Sequence, residues 1–173
     1  DAAKGVEAQT IKLFKVCRMR GIPIFTFVNK MDRAAKDPFQ LMDELENVLG
    51  IHACPVNWPI GTDGDFQGVY HRDTNQIELY FGGDHGKVKA GKTEIALDDP
   101  ALPGMLDKHY LNRLHDEIEL LDEAGDTFDL DAVRAGQLTP MFFGSAVTNF
   151  GVEPFLERFL QYTPPPLPRE SDQ

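Results

Sequence analysis

Gly21-Ile22-Pro23-Ile24-Phe25-Thr26-Phe27-Val28-Asn29-Lys30-Met31-Asp32 is the stretch on which the reading of this chain turns. The uncharged, mostly apolar run from Ile22 to Val28, bounded by Gly21 and a polar tetrad, predicts a strand buried on both faces, as in a parallel sheet. Asn29-Lys30-Met31-Asp32 then falls at the strand's carboxyl end, where open α/β sheets hold their ligands. The chemistry there suits guanine. That base presents N1–H and an exocyclic amine side by side, so the single carboxylate of Asp32 accepts from both. Adenine has no such donor pair, and Asp32 facing it is a desolvated charge without a partner, at a cost of roughly 1–3 kcal/mol or more. Lys30 can lay its aliphatic stem over the base. Asn29 can hydrogen-bond the base edge or tie neighbouring loops together.

A second element supports the first. Thr139-Pro140-Met141-Phe142-Phe143 is another short apolar run, followed at once by Gly144-Ser145-Ala146. Small residues let a backbone approach a base closely. A turn of this kind can aim the N–H groups of Ser145 and Ala146 at guanine O6, while the Ser145 hydroxyl orients Asp32. Taken singly, the tetrad also reads as a polar loop and Gly-Ser-Ala as a tight turn. Together, each at the end of a buried strand, they point to GTP or GDP.

The segment from Gly5-Val6-Glu7-Ala8-Gln9-Thr10 through Asn29-Lys30-Met31-Asp32-Arg33 resembles the central part of a translational GTPase G domain. Cys54-Pro55-Val56-Asn57-Trp58-Pro59-Ile60-Gly61 and Phe66-Gln67-Gly68-Val69-Tyr70-His71 narrow the likeness. They are similar to the bacterial peptide chain release factor 3 family more than to the related elongation factor G family, which shares the Pro-Ile-Gly and Phe-x-Gly-Val pieces but usually not the Trp. The resemblance covers nearly the whole chain and is weakest over 82–107. It implies an α/β fold, a partial doubly wound P-loop GTPase sheet with an inserted α+β subdomain. It also implies a cytoplasmic, ribosome-dependent enzyme that hydrolyses GTP to GDP and phosphate and recycles the class I release factors that read stop codons. The base site carried over is Asn29, Lys30, Asp32, Ser145 and Ala146.

The same resemblance implies a fragment. The family places its phosphate-binding loop, both switches and the groups that hold Mg²⁺ ahead of a position matching Asp1, so the chain opens just after a strand whose last residue is Asp1. Phosphoryl transfer depends almost entirely on those parts. Hence the expectation is no catalytic residue here, no hydrolysis, and at best feeble nucleotide binding by these residues alone.

Gly86-Lys87-Val88-Lys89-Ala90-Gly91-Lys92-Thr93 satisfies the Gly-x4-Gly-Lys-Thr pattern letter by letter. That pattern works only where a buried strand delivers the loop and a helix receives the phosphates. Here Gln76–Phe81 alternates polar and apolar, and Asp98-Asp99-Pro100 interrupts any following helix. A glycine-rich hairpin tip is the better account, against an ATPase built on Lys92.

Composition bounds the rest. With 28 acidic and 17 basic residues the net charge is −11, which disfavours direct binding to a nucleic-acid backbone. No apolar run approaches the ~18 residues of a membrane span. Two cysteines fit a reducing compartment and no disulfide framework. His52 and Cys54 lack a second ligand pair, so no metal site is assigned. Asp116, Glu117, Glu119, Asp122 and Glu123 read as a solvated helix face. That face could dock a basic ribosomal stalk protein, or mark a non-enzymatic acidic binding module.

Periodicity predicts a helix over 6–20, with Val6, Leu13, Phe14, Val16 and Cys17 on one face. Another begins at Asp37-Pro38 and stops at Gly50. Strands follow over 53–60, 66–72, 76–81 and 93–97, then a long helix from Leu106 to Gly125, a short one over 129–135, and a last amphipathic helix through Val152, Phe155, Leu156, Phe159 and Leu160. About 110 residues lie between Asp32 and Gly144, where a minimal GTPase needs one helix and two short loops. The expected division is therefore 1–50 with 136–163 as the carboxyl-terminal part of a G domain, 51–135 as the inserted subdomain, and 164–173 as a Pro-rich linker.

Overall fold

A computed structural model describes residues 1–62, 64–81 and 91–165. Gly86–Ala90 of the Gly-x4-Gly-Lys-Thr stretch and 166–173 of the Pro-rich tail lie outside the described residues.

Two sheets make the frame. The first is parallel and has the order β1-β7-β2, with β1 at Thr26–Val28, β7 at Leu138–Phe143 and β2 at His52–Pro55. The second is an antiparallel meander of β3 (Asn57–Ile60), β4 (Gly68–His71), β5 (Gln76–Phe81) and β6 (Gly91–Ala96). One residue, Val56, separates β2 from β3; its N–H donates to Met141 O (2.9 Å) and its C=O accepts from Arg72 N (3.0 Å). The extended run predicted over 53–60 thus crosses from one sheet to the other without a loop. Its first half, grouped with the insert by the sequence reading, pairs with β7 in the parallel sheet.

The central strand is β7, and all six of its residues are buried, as a strand covered on both faces requires. β1 is shorter than its apolar run suggests, and only Val28 of its three residues is buried. The reason is position: β1 is an edge strand, paired with β7 alone among the described residues. Pro23, which has no N–H to give a ladder, lies before it. Helix α1 (Ala8–Met19) buries Phe14 but leaves Leu13 and Val16 of its predicted apolar face exposed, and Met19 beside them.

Helix α2 (Pro38–Leu49) starts and stops as its residues dictate. The Asp37 carboxylate accepts from the N–H groups of Phe39 (2.9 Å) and Gln40 (3.4 Å), and Pro38 occupies the first turn. Gly50 ends the helix with φ 66°, ψ 39°, a left-handed conformation that favours glycine. Leu41, Leu45 and Leu49 form its buried stripe. In α3 (Lys108–Ala124) the stripe is Leu111, Leu114 and Leu121. Glu117 departs from the solvated acidic face expected of α3, for it is buried and accepts from Trp58 Nε1 (2.8 Å) and Arg113 Nε (2.7 Å). Asp122 is exposed and pairs with Arg72 (2.8 Å). Short α4 (Leu130–Arg134) leads into β7. The last helix, α5 (Val152–Tyr162), lays Phe155 and Phe159 against Phe25, Phe27 and Phe142 but leaves Leu156 and Leu160 exposed.

Gly91, Lys92 and Thr93 form the first half of β6, paired with β5 in register Phe81↔Gly91 and Leu79↔Thr93. A phosphate loop needs that Gly-Lys-Thr at a helix amino-terminus, so the strand rules against the ATPase reading.

Cys54 is 2% exposed, and burial pushes its thiol up to about 11; Cys17 is only partly covered. With a thiol-exchange reagent at pH 8, one cysteine should react quickly in the folded protein and two in denaturant.

Candidate functional site

The carboxyl ends of β1 and β7 are adjacent, with Val28 opposite Phe143. The two loops that leave them are stitched together. Gly144 N–H donates to Val28 O (3.1 Å), and Met31 N–H donates to Gly144 O (3.1 Å). Ser145 Oγ donates to Asp32 Oδ1 at 2.5 Å, and Ala146 N–H donates to Asn29 Oδ1 at 2.9 Å. Residues about 113 positions apart in the chain thereby form one surface.

Each predicted residue has a definite place in it. Asp32 is partly buried, and among the described residues its second oxygen, Oδ2, has only the exposed Arg33 guanidinium near it, at 3.8 Å. Such a surface contact is worth little, so Oδ2 remains an open acceptor beside a carboxylate already oriented by Ser145. Asn29 serves the inter-loop tie: its Oδ1 accepts from Lys30 N (2.8 Å) as well as Ala146 N. That first bond holds Lys30 at φ 72°, an uncommon conformation for a side-chain-bearing residue. The Lys30 ammonium meets Asp1 Oδ2 at 2.7 Å. Ser145 is fully buried, and its N–H donates to Phe150 O (3.0 Å), closing the turn. Ser145 therefore acts through its hydroxyl here, while Ala146 keeps an exposed amide held by the Asn29 side chain.

Two supports were not visible in the sequence. Residues 1–6 lie along the tetrad: Ala2 N–H donates to Asn29 O (2.9 Å), and Ala2 O accepts from Lys36 N (2.9 Å). Glu44 of α2 pins that segment by accepting from Val6 N (2.9 Å) and Lys36 Nζ (2.6 Å). The second is Asn57, whose side chain spans both backbone groups of Phe143. Neither pairing leaves a periodic or motif signal.

His52 and Cys54, to which the sequence assigned no metal, contact different groups of Asp126. Cys54 Sγ donates to Asp126 O (3.3 Å), whereas His52 Nδ1 meets Asp126 Oδ2 at 3.2 Å near Glu46. His52 and Asp126 are exposed and satisfy each other. Elsewhere, a cavity of about 340 Å³ runs along the free edge of β1, lined by Phe14, Phe27, Val28, Leu41, Leu45 and Met141.

The parallel sheet thus carries at its carboxyl edge two abutting loops, one with an acidic side chain and one with an exposed main-chain amide, on an α/β fold. The chain belongs to the family of the elongation factor Tu GTP-binding domain, whose model matches residues 1–165. Within it, the chain is similar to proteins named peptide chain release factor 3. It is 59% identical to that of Symbiobacterium thermophilum over 98% of this chain and 32% of the relative, and 52% identical to that of Acaryochloris marina over 100% and 32%. The relative from Synechocystis is 53% identical over 100% and 32%. The chain therefore spans about a third of the length of these relatives. A crystal structure of a Thermus thermophilus protein has the same fold, with TM-score 0.64 at 21% identity, covering 94% of this chain and 25% of that one.

Two outcomes test the geometry. A Cβ on Gly144 would lie 2.5 Å from Phe150 O and 2.9 Å from Phe27 Cζ, so Gly144→Ala should lower stability by about 1–3 kcal/mol in denaturant melts. The carboxyl of Glu44 titrates below its ordinary value, chiefly because Lys36 and then Val6 N–H hydrogen-bond its charged form. Its contribution is present above the unfolded-state value and fades as pH falls through the lower folded one. Glu44→Gln should therefore flatten the acid limb of a stability–pH profile and leave its neutral shape unchanged.

Proposed function

We propose that this chain is the guanine-reading part of a ribosome-dependent GTPase of bacterial translation termination, one that recycles class I release factors in the cytoplasm. The observation that carries the base assignment is the Ser145–Asp32 hydrogen bond, which presents a fixed carboxylate with an open oxygen between two abutting loops. Asp32 takes guanine N1–H and the N2 amine. Ala146 N–H turns from Asn29 Oδ1 to O6, Asn29 braces the loop pair, Lys30 covers the base with its stem, and Ser145 holds Asp32. The names and identities of the relatives favour termination over an elongation factor G-type role, which a release-factor recycling assay separates.

Phosphate handling lies elsewhere in this reading. The residues at this end of the sheet do not fit Mg²⁺: the Asp1 carboxylate is engaged by Lys30 and by Ala3 N–H (3.0 Å), and Asp32 by Ser145. Free-standing, the chain should show no hydrolysis, and calorimetry giving micromolar GDP affinity would contradict that. The free edge of β1, with its apolar groove, is where a further parallel strand of the parent would lie. The exposed carboxylates Asp116, Glu119 and Glu123 on α3 offer a face for a basic ribosomal stalk partner.

Asp32→Asn, placed in the full-length parent, is the test. The new amide would face a donor where guanine carries its amine, but would match the C2 carbonyl of xanthine. GDP affinity should fall by roughly 100-fold or more, with xanthosine diphosphate gaining. Unchanged GDP affinity would end this reading and favour a non-enzymatic acidic binding module.

A further inference from the structure

Asn57 and Trp58 sit at the start of the antiparallel meander, outside the guanine loops, yet both are fully buried against the strand that feeds one of them. Asn57 Nδ2 donates to Phe143 O (3.1 Å), and Phe143 N–H donates to Asn57 Oδ1 (2.7 Å). A single primary amide thus satisfies both main-chain groups of the last residue of β7. The next residue is Gly144, whose own N–H and C=O are bound to Val28 and Met31 beside the tetrad. The carboxyl end of β7 is therefore held from two directions, by the tetrad loop on one flank and by a side chain of the inserted meander on the other.

Trp58 continues the support. Its ring lies 4.6 Å from that of Phe39, in the first turn of α2, and 5.4 Å from that of Phe143. Its Nε1 donates to Glu117 Oε2 (2.8 Å); Arg113 bonds the other Glu117 oxygen and reaches Asp37 Oδ2 at 3.6 Å. Asp37 is the cap of α2, five positions after Asp32 in the sequence.

We infer that Asn57 is a positioning residue for guanine recognition, acting through Phe143 to set where Ala146 stands relative to Asp32. The inserted subdomain is then part of the base pocket's construction. Loss of the Asn57 amide leaves the buried N–H and C=O of Phe143 unpaired; the loop beyond Gly144 then pivots about the Ser145–Asp32 hydrogen bond, so that the exposed Ala146 shifts while Asp32 keeps its hydroxyl partner. The consequence is selective. Recognition at purine C6, read by the Ala146 amide, weakens, whereas recognition at C2, read by Asp32, persists.

This rests on the guanine reading proposed above, and the test separates the two. In the full-length parent, affinities for GDP, 6-thio-GDP and IDP are measured for the unaltered protein, Asn57→Ala, Asn57→Asp and Asp32→Asn, with hydrogen exchange followed at residues 143–150. The thio analogue keeps N1–H and N2 but carries a poor acceptor at C6; inosine keeps O6 but lacks the C2 amine. Asn57→Ala should lower GDP affinity by roughly tenfold or more, shrink the GDP over 6-thio-GDP preference toward one, leave the GDP over IDP preference intact, and speed exchange at Gly144 and Ser145. Asn57→Asp keeps the shape and the acceptor for Phe143 N–H, so it should show the same selective loss if the Ala variant does not fold. Equal loss of both preferences, or neither changing while exchange stays slow, would overturn the inference. If Asp32→Asn also leaves GDP binding untouched, the failure lies with the guanine reading itself.

Discussion

A hydrogen bond of 2.5 Å between Ser145 and Asp32 joins two loops that the chain visits some 113 residues apart. A lone aspartate at a strand end is a mobile, solvated charge. Held by a buried hydroxyl, with Asn29 bonding the opposite amide, it becomes a carboxylate of fixed direction. Selectivity between purines needs that fixity, because the difference between bases is only where donors and acceptors lie on one edge. The rest of the fold can be understood as what brings these two loops to one place and keeps them there.

The parallel pairing of β1 with β7 does the first part and sets the register. The second part is shared between two strangers to the motif. One is the segment 1–6, clipped to the tetrad through Ala2 and to α2 through Glu44. The other is the meander, which begins one residue after β2 and sends Asn57 back onto β7. A subdomain hung on flexible loops could not hold a strand end. This one is continuous with the parallel sheet at Val56, so its position is inherited from the core.

Much of this was legible in the residues themselves. The tetrad and the Gly-Ser-Ala turn, Asp37-Pro38 opening α2, Gly50 closing it, and the alternation that made the meander all rest on local rules of backbone and periodicity, and those rules applied locally. What escaped was non-local. Ile22 to Val28 promised a strand covered on both faces, but burial depends on neighbours, and among the described residues β1 has a strand on one side only. Glu117 looked like one more carboxylate on a wet helix; Trp58, 59 positions earlier, drew it inside. Ser145 N–H was assigned to a base oxygen, while the turn itself uses it on Phe150. His52–Pro55 was grouped with the insert because the texture changes at Ile51, yet texture does not say which sheet a strand joins.

The most direct measurement is the structure of the parent bound to GDP. If two braced loops read the base, both the N1 and N2 nitrogens of guanine lie about 3 Å from the Asp32 carboxylate, Ser145 Oγ remains on Asp32 Oδ1, and the Ala146 amide points at O6. A base bound elsewhere, or bound at these loops with Asp32 facing only Ser145 and solvent, would contradict it.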